Sequence, residues 1–232
     1  MSEALRIEGL RFAWPGGGWT LALDSLVLAR GERLFLHGPS GSGKSTLLNL
    51  VAGTLRPQAG RVCIAGEDMA ARSGPGRDRL RADHLGIVFQ QFNLLPFLSL
   101  VENVTLPCRF SALRRRRALE RFGSLGAAAR HYLAALGLGG EAMQARRVIE
   151  LSVGQQQRVA AARALIGGPS LVLCDEPTSA LDAGNRDLFM DLLFAECEAA
   201  GAALLFVSHD LALAGRFPRQ HALAAAAAPE AA

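Results

Sequence analysis

Alternating apolar and polar positions open the chain. Leu5–Phe12 has the pattern of a strand with one buried face, a turn follows at Pro15–Gly18, and Trp19–Ala29 is a second apolar run. Period-two alternation on both sides of a glycine-rich turn predicts an antiparallel hairpin or meander. Arg33–His37 is different: a short continuous apolar run, suited to a strand buried on both faces. It leads through a glycine-rich stretch into a helix predicted at Lys44–Ala52 and stopped by Gly53. Further strands are predicted at Arg61–Ala65 and Leu85–Phe89. From about Gln91 to Glu150 strand signals fade, and helical spacing takes over at Ala112–Phe122 and Ala127–Leu136. The α/β alternation then resumes with helix Gln156–Ile166, strand Leu171–Cys174, helix Asn185–Ala199 and strand Ala203–Val207.

Apolar strands separated by helices imply a mostly parallel sheet covered on both faces. The expected fold is α/β, with an N-terminal antiparallel β-subdomain and a helical subdomain, about residues 91–168, inserted into the core. One domain is expected over residues 1–221, followed by a disordered Ala-rich tail at 222–232.

Composition excludes several classes. Half of the 232 residues are hydrophobic and a fifth charged, enough for a sizeable core. The longest glycine-free apolar run, Ala222–Ala228, is far short of the ~20 residues of a membrane span. Met1–Leu10 has no signal-peptide apolar core, so the chain is expected in the cytoplasm. Cys63, Cys108, Cys174 and Cys197 form no CxxC pair, which argues against a zinc site or disulfide framework. The net charge is +4, yet Arg109–Arg130 holds seven Arg and one Glu, so 6 − 4 = 2 net negative charges are left on the remainder. This patch reads as a solvated helix face in preference to a nucleic-acid or lipid footprint.

Two motifs carry chemistry. Gly38-Pro39-Ser40-Gly41-Ser42-Gly43-Lys44-Ser45-Thr46 fits GxxxxGK[ST] between a predicted strand and a predicted helix. Such a loop lets successive backbone N–H groups converge on a β-phosphate, with Lys44 bridging β and γ, Ser45 offering its hydroxyl to Mg²⁺ and Thr46 within reach of the α-phosphate. Lys44 is also the sole lysine among the 25 Lys and Arg residues. The second motif is Asp175-Glu176, at the end of four apolar residues. A parallel sheet puts both carboxylates at the carboxyl edge, where the phosphate loop also emerges. Asp175 suits a Mg²⁺ shell and Glu176 suits polarising the attacking water.

Between the two lies Leu151-Ser152-Val153-Gly154-Gln155, followed by Gln156-Gln157-Arg158-Val159-Ala160. This resembles LSGGQ-x-QRVA, the signature of ABC-type ATPases, and other elements of that family follow in order. Trp14 stands where an aromatic stacks on adenine. Gln90, with Gln91 as its rival, matches the Q-loop and its contact to the metal. Ser179–Asp182 resembles the D-loop, and His209 matches the switch histidine. The resemblance covers roughly residues 5–215 and implies a P-loop NTPase core that binds ATP and Mg²⁺ and hydrolyses ATP. It further implies a homodimer in which Ser152, Gly154 and Gln155 of one chain close on the ATP held by the other. Val153 departs from the glycine usual there; as a β-branched residue it implies an extended or helical backbone.

Phe92–Leu98 is unusually apolar for a loop, which reads as local packing or as a groove for a membrane subunit. Together with the short length and the QQQRVAAARAL stretch, it resembles the lipoprotein-releasing and macrolide-exporter branch. That branch implies export or extraction through a separate permease on the inner face of the membrane, with no contact between this subunit and the transported molecule. The alternative is a cell-division-type ABC ATPase that signals through a membrane partner. A nucleic-acid-associated ABC ATPase is disfavoured, since it needs coiled coils or two cassettes.

Overall fold

A computed structural model of the chain describes residues 2–140, 143 and 146–224. The expected hairpin is present: β1 (Glu3–Ala13) and β2 (Trp19–Ala29) pair antiparallel. β4 (Ala59–Ile64) joins β1, and the short β5 (Glu67–Asp68) closes a four-stranded sheet in the order β2-β1-β4-β5.

The second sheet is wholly parallel. It contains β3 (Arg33–His37), β6 (Leu85–Val88), β7 (Leu171–Asp175), β8 (Ala203–Val207) and β9 (Arg219–Ala222), ordered β6-β7-β8-β3-β9. Side chains alternate across it, and so do two cores. Phe35, Val172, Cys174, Leu204 and Phe206 face one core. Leu34, Leu36, Leu171, Leu173, Leu205 and Val207 face the other, shared with α1 (Lys44–Val51) and the antiparallel sheet.

The first core is covered by the inserted helical subdomain, which comprises α3 (Leu100–Thr105), α4 (Pro107–Phe110), α5 (Ala112–Phe122), α6 (Leu125–Ala135) and α7 (Val153–Leu165). α8 (Ala183–Ala200) packs behind the sheet through Phe189, Met190, Leu193 and Phe194. Three helices, α2 (Gly74–His84), α3 and the short α4, go beyond the sequence reading, and the first two carry start signals. α2 starts at the Ser73 cap with Pro75 in its first turn, and α3 carries a Ser99–Glu102 capping box. Both are legible start signals.

Two expectations need correction. Leu211–Arg216 forms a 3₁₀ turn and Ala222 ends β9, which pairs with β3. Leu223 is buried and donates its N–H to His37 O at 2.7 Å, so ordered chain continues past the start of the expected tail; residues 225–232 lie outside the described residues. The basic stretch is not one solvated face either. Arg114 is 2% exposed and donates to the carbonyls of Ile166, Leu85, Arg163 and Ala164. Three of those carbonyls end α7, where helix geometry leaves acceptors unpaired and the dipole is negative. Gly167, at φ +73°, admits this approach, because a Cβ there would lie 2.6 Å from Arg114 Cβ.

Candidate nucleotide site

Sheet register brings the two motifs together. Asp175 is opposite Val207, and Val207 is opposite Leu36, so β7, β8 and β3 end side by side. Their following residues, Glu176, Ser208–His209 and the Gly38 loop, share one carboxyl edge.

The loop is built for an anion. Gly43 caps α1 in the left-handed region, at φ +89°, with no side chain bonded to the first turn. A Cβ there would lie 2.9 Å from Thr20 O. Among the described residues, α2, α3, α5, α6, α7 and α8 all start on a Ser or Asp whose side chain accepts a first-turn N–H; α1 does not. At its start lies a cavity of about 300 Å³ lined by Thr20, Ser40, Gly41, Gly43, Lys44, Ser45 and Thr46. Thr20, at the start of β2, has no motif to announce it. Lys44 Nζ donates to Gly38 O at 2.8 Å and Pro39 O at 2.9 Å, carbonyls that offer only partial compensation for its charge. Gly38 is needed because Leu223 passes over it: a Cβ would lie 2.5 Å from Leu223 O.

Asp175 is half-buried and its carboxyl is pushed above the usual aspartate value, first by desolvation and then by Glu176, with Lys44 opposing. An acid held at such a cost is a suitable donor for a cation. With the Ser45 hydroxyl beside the phosphate cavity, the donor set fits a Mg²⁺ ion that takes its other ligands from phosphate and water.

Glu176 sits at φ +46°, a strained conformation for a non-glycine residue. Its Oε1 meets His209 Nδ1 at 2.8 Å and its Oε2 accepts from Ser208 Oγ at 3.1 Å. Glu176 is 14% exposed and His209 71%. Both line a cavity of about 490 Å³ with Thr178, Ser179, Leu181, Arg186 and Asp210. Ser208 and Arg186 were not legible as site residues.

Other predicted residues lie apart. Trp14 is 51% exposed, edge-on to Phe12 at 5.1 Å, and is not among the phosphate-cavity residues. Gln90 and Gln91 are exposed just after β6. Asp182 caps α8 by accepting from Asn185 N at 2.9 Å, and these bonds hold its carboxyl below the usual range. Ser152 and Gln155 form a capping box that starts α7, three residues before the expected helix start, with Val153 already helical. Gly154 lies beside Leu181: a Cβ there would be 3.4 Å from Leu181 Cδ2. Neither cavity contains a residue of Ser152–Gln155.

Phe92–Leu98 reads as local packing or as a groove, and both features are present. Phe92 packs into the core, while Phe97 is 78% exposed. The groove lies alongside, about 820 Å³ in volume, walled by Ile87, Phe89, Asn93, Leu106 and Phe110 over Arg114 and Arg163. Arg163, on α7, donates to Asn93 O at 2.6 Å and Phe92 O at 2.5 Å.

These features define an ATP-hydrolysing P-loop protein, and comparison with known proteins gives its family. Residues 22–179 match the ABC transporter family, to which the chain belongs. It is 42% identical over 225 residues to the lipoprotein-releasing system ATP-binding protein LolD of Ruegeria sp., covering 94% of this chain and 95% of that one. It is 38% identical over 218 residues to the macrolide export ATP-binding/permease protein MacB of Chromobacterium violaceum, covering 93% of this chain. The match spans only 32% of MacB, about a third of its length. Among solved structures, the dimeric post-hydrolysis ATP-binding cassette MJ0796 bound to ADP and Pi aligns with TM-score 0.79 and 32% identity, covering 94% of each chain. Among the described residues no helix is long and apolar enough to cross a membrane.

Proposed function

We propose that this chain is the ATP-hydrolysing subunit of a transport complex, driving export or extraction of a substrate through a separate permease. The observation that carries this reading is the shared strand edge, where the uncapped Lys44 loop, Asp175 and the Glu176–His209 pair meet.

The N–H groups of the Gly38–Thr46 loop hold the β-phosphate, and Lys44 exchanges its two carbonyls for β- and γ-oxygens. Ser45 and Asp175, with Gln90, would hold Mg²⁺, which would supply neutralisation of the phosphate charge. Glu176 polarises the attacking water, oriented by Ser208 and His209, and His209 reports the γ-phosphate. Trp14 stacks on the base once nucleotide arrives. The donors missing from these cavities come from a second copy, whose Ser152, Gly154 and Gln155 present the positive end of α7. Asp182 stands beside them at the same interface. That the MJ0796 relative is a dimer supports this reading.

The groove receives an apolar segment of the permease, as supported by exposed Phe89, next to Gln90 in the chain, and exposed Phe110. Arg163 grips the turn after Gln90 and belongs to the helix that starts at Ser152, so movement in the groove reaches the signature. The LolD and MacB relatives support export or extraction, with this subunit at the inner face of the membrane. The transported molecule never touches it.

Lys44→Ala is expected to weaken ATP binding roughly 10- to 100-fold, the loss of one charge-assisted hydrogen bond of about 1.5–3 kcal/mol. Calorimetric titration checks this, and unchanged affinity would place the phosphates elsewhere. The transport reading is tested by purifying tagged chain from gently solubilised host membranes and identifying what co-elutes by mass spectrometry. A permease with a large extracytoplasmic domain is expected. Recovery with cell-wall regulators, or with no membrane protein despite an intact ATP-dependent dimer, would move the chain to a signalling role.

A further inference from the structure

Arg186 lies one turn into α8, four residues after the Asp182 cap, and its N–H bonds to Asp182 O at 2.9 Å. Its side chain leaves that helix and crosses to the turn after β8, where Nη1 donates to Asp210 Oδ2 at 2.7 Å. Both side chains are mostly shielded, at 26% and 35% exposure, and Arg186 Nε is buried with no hydrogen-bond partner among the described residues. A guanidinium with one donor left unsatisfied keeps that position at a cost.

Asp210 is tied at three points. Oδ2 takes Arg186, Oδ1 accepts from Ala212 N at 3.1 Å, and its own N–H donates to Ser208 Oγ at 3.1 Å. Ser208 Oγ in turn donates to Glu176 Oε2, while neighbouring His209 holds Oε1. The carboxylate of Glu176 is thus fixed at both oxygens by residues 208 and 209; the backbone of that turn is held by Ser208 N donating to Leu36 O at 3.2 Å, and Asp210 ties its side-chain face to α8. All of these residues except Leu36 and Ala212 line the same cavity.

We propose that Arg186 is a positioning residue for hydrolysis: through Asp210 it locks the Ser208–His209 turn against Glu176 and couples it to the Asp182 end of α8. The inference rests on Glu176 being the base. Leu181, beside Gly154, leads directly into this helix, so a displacement of the signature has a rigid path to the water-polarising carboxylate. The path consists of one helical turn, one ion pair and two hydrogen bonds.

The test is steady-state ATP hydrolysis by the full chain, at protein concentrations that saturate its self-association. Arg186→Ala and Arg186→Gln are expected to lower kcat by about 10-fold with KM within about twofold, the pattern of an interaction that acts on the transition state and not on ATP binding. Asp210→Asn should match them, and Arg186→Lys should recover most of the loss. The Arg186→Gln/Asp210→Asn double variant should be no slower than its slower parent, because the two residues act as one unit. Asp210→Asn preserves shape and carries the test where Arg186→Ala does not fold. Unchanged kcat per folded molecule, a loss confined to KM or melting temperature, or a double variant slower by the product of both losses would overturn the proposal. Glu176→Gln assayed alongside separates the two ideas. Rapid turnover in Glu176→Gln removes the base, whereas a silent Glu176→Gln with normal Arg186→Gln removes only the relay.

Discussion

Glu176→Gln is expected to bind ATP nearly as well as the natural chain, to hydrolyse it about 10²- to 10⁴-fold more slowly, and to accumulate as an ATP-bound dimer. The amide keeps the size of the carboxylate and can still meet Ser208, but it cannot accept a proton from water. Phosphate binding is untouched, because the amide-lined loop and Lys44 lie on β3 and α1, not on β7. The left-handed backbone at Glu176 adds to the case, since strain of ~1–3 kcal/mol is retained where it aims a side chain. Nucleotide affinity, single-turnover hydrolysis and size-exclusion mass measured in ATP decide the point together. Normal turnover would remove Glu176 as base, and slow turnover with lost ATP affinity would make its role structural.

Arg114→Ala is expected to destabilise the fold by about 4–5 kcal/mol, a large share of the ~5–15 kcal/mol that holds a typical domain together. The buried guanidinium serves four carbonyls from two segments: the end of α7 with the residue after it, and the start of β6. Removing it strands those acceptors at ~1–3 kcal/mol each and opens a cavity beneath the groove. Burial pushes its pKa down to about 10, still far enough above neutrality for the cation to persist. Urea unfolding of Arg114→Ala and Arg114→Lys measures the effect. A loss under about 1 kcal/mol would mean that water replaces the guanidinium. Because Arg114 joins the helical subdomain to the parallel sheet, its loss should also loosen the groove.

Local patterns carried much of this reading. The Arg33–His37 and Ala203–Val207 strands and the Ala112–Phe122 helix fall where periodicity places them, because each presents an unambiguous apolar pattern to its surroundings. The phosphate-loop motif is legible for the same reason: its glycines, Lys44 and Ser45 lie within nine consecutive residues. The boundaries at Ser152 and Asp182 shifted because capping side chains, not apolar spacing, set where a helix starts.

What the chain could not show along its length is what depends on distant residues meeting. Seven arginines between Arg109 and Arg130 look alike in one dimension, yet only the fold sends Arg114 to the end of a helix some fifty residues away. Phe92 and Phe89 are equally apolar neighbours, and packing turns one into the core and the other toward a groove. Ser208 and Arg186 carry no motif at all; they join the site because β7 and β8 end in register and α8 passes alongside. Hydrogen bonding and amphipathic burial act over a few residues, so the secondary elements and the GxxxxGK[ST] motif could be read along the chain. The tertiary structure decided which charges are buried, where the groove lies and what holds Glu176, because desolvation and side-chain pairing depend on separations in space that no local pattern encodes.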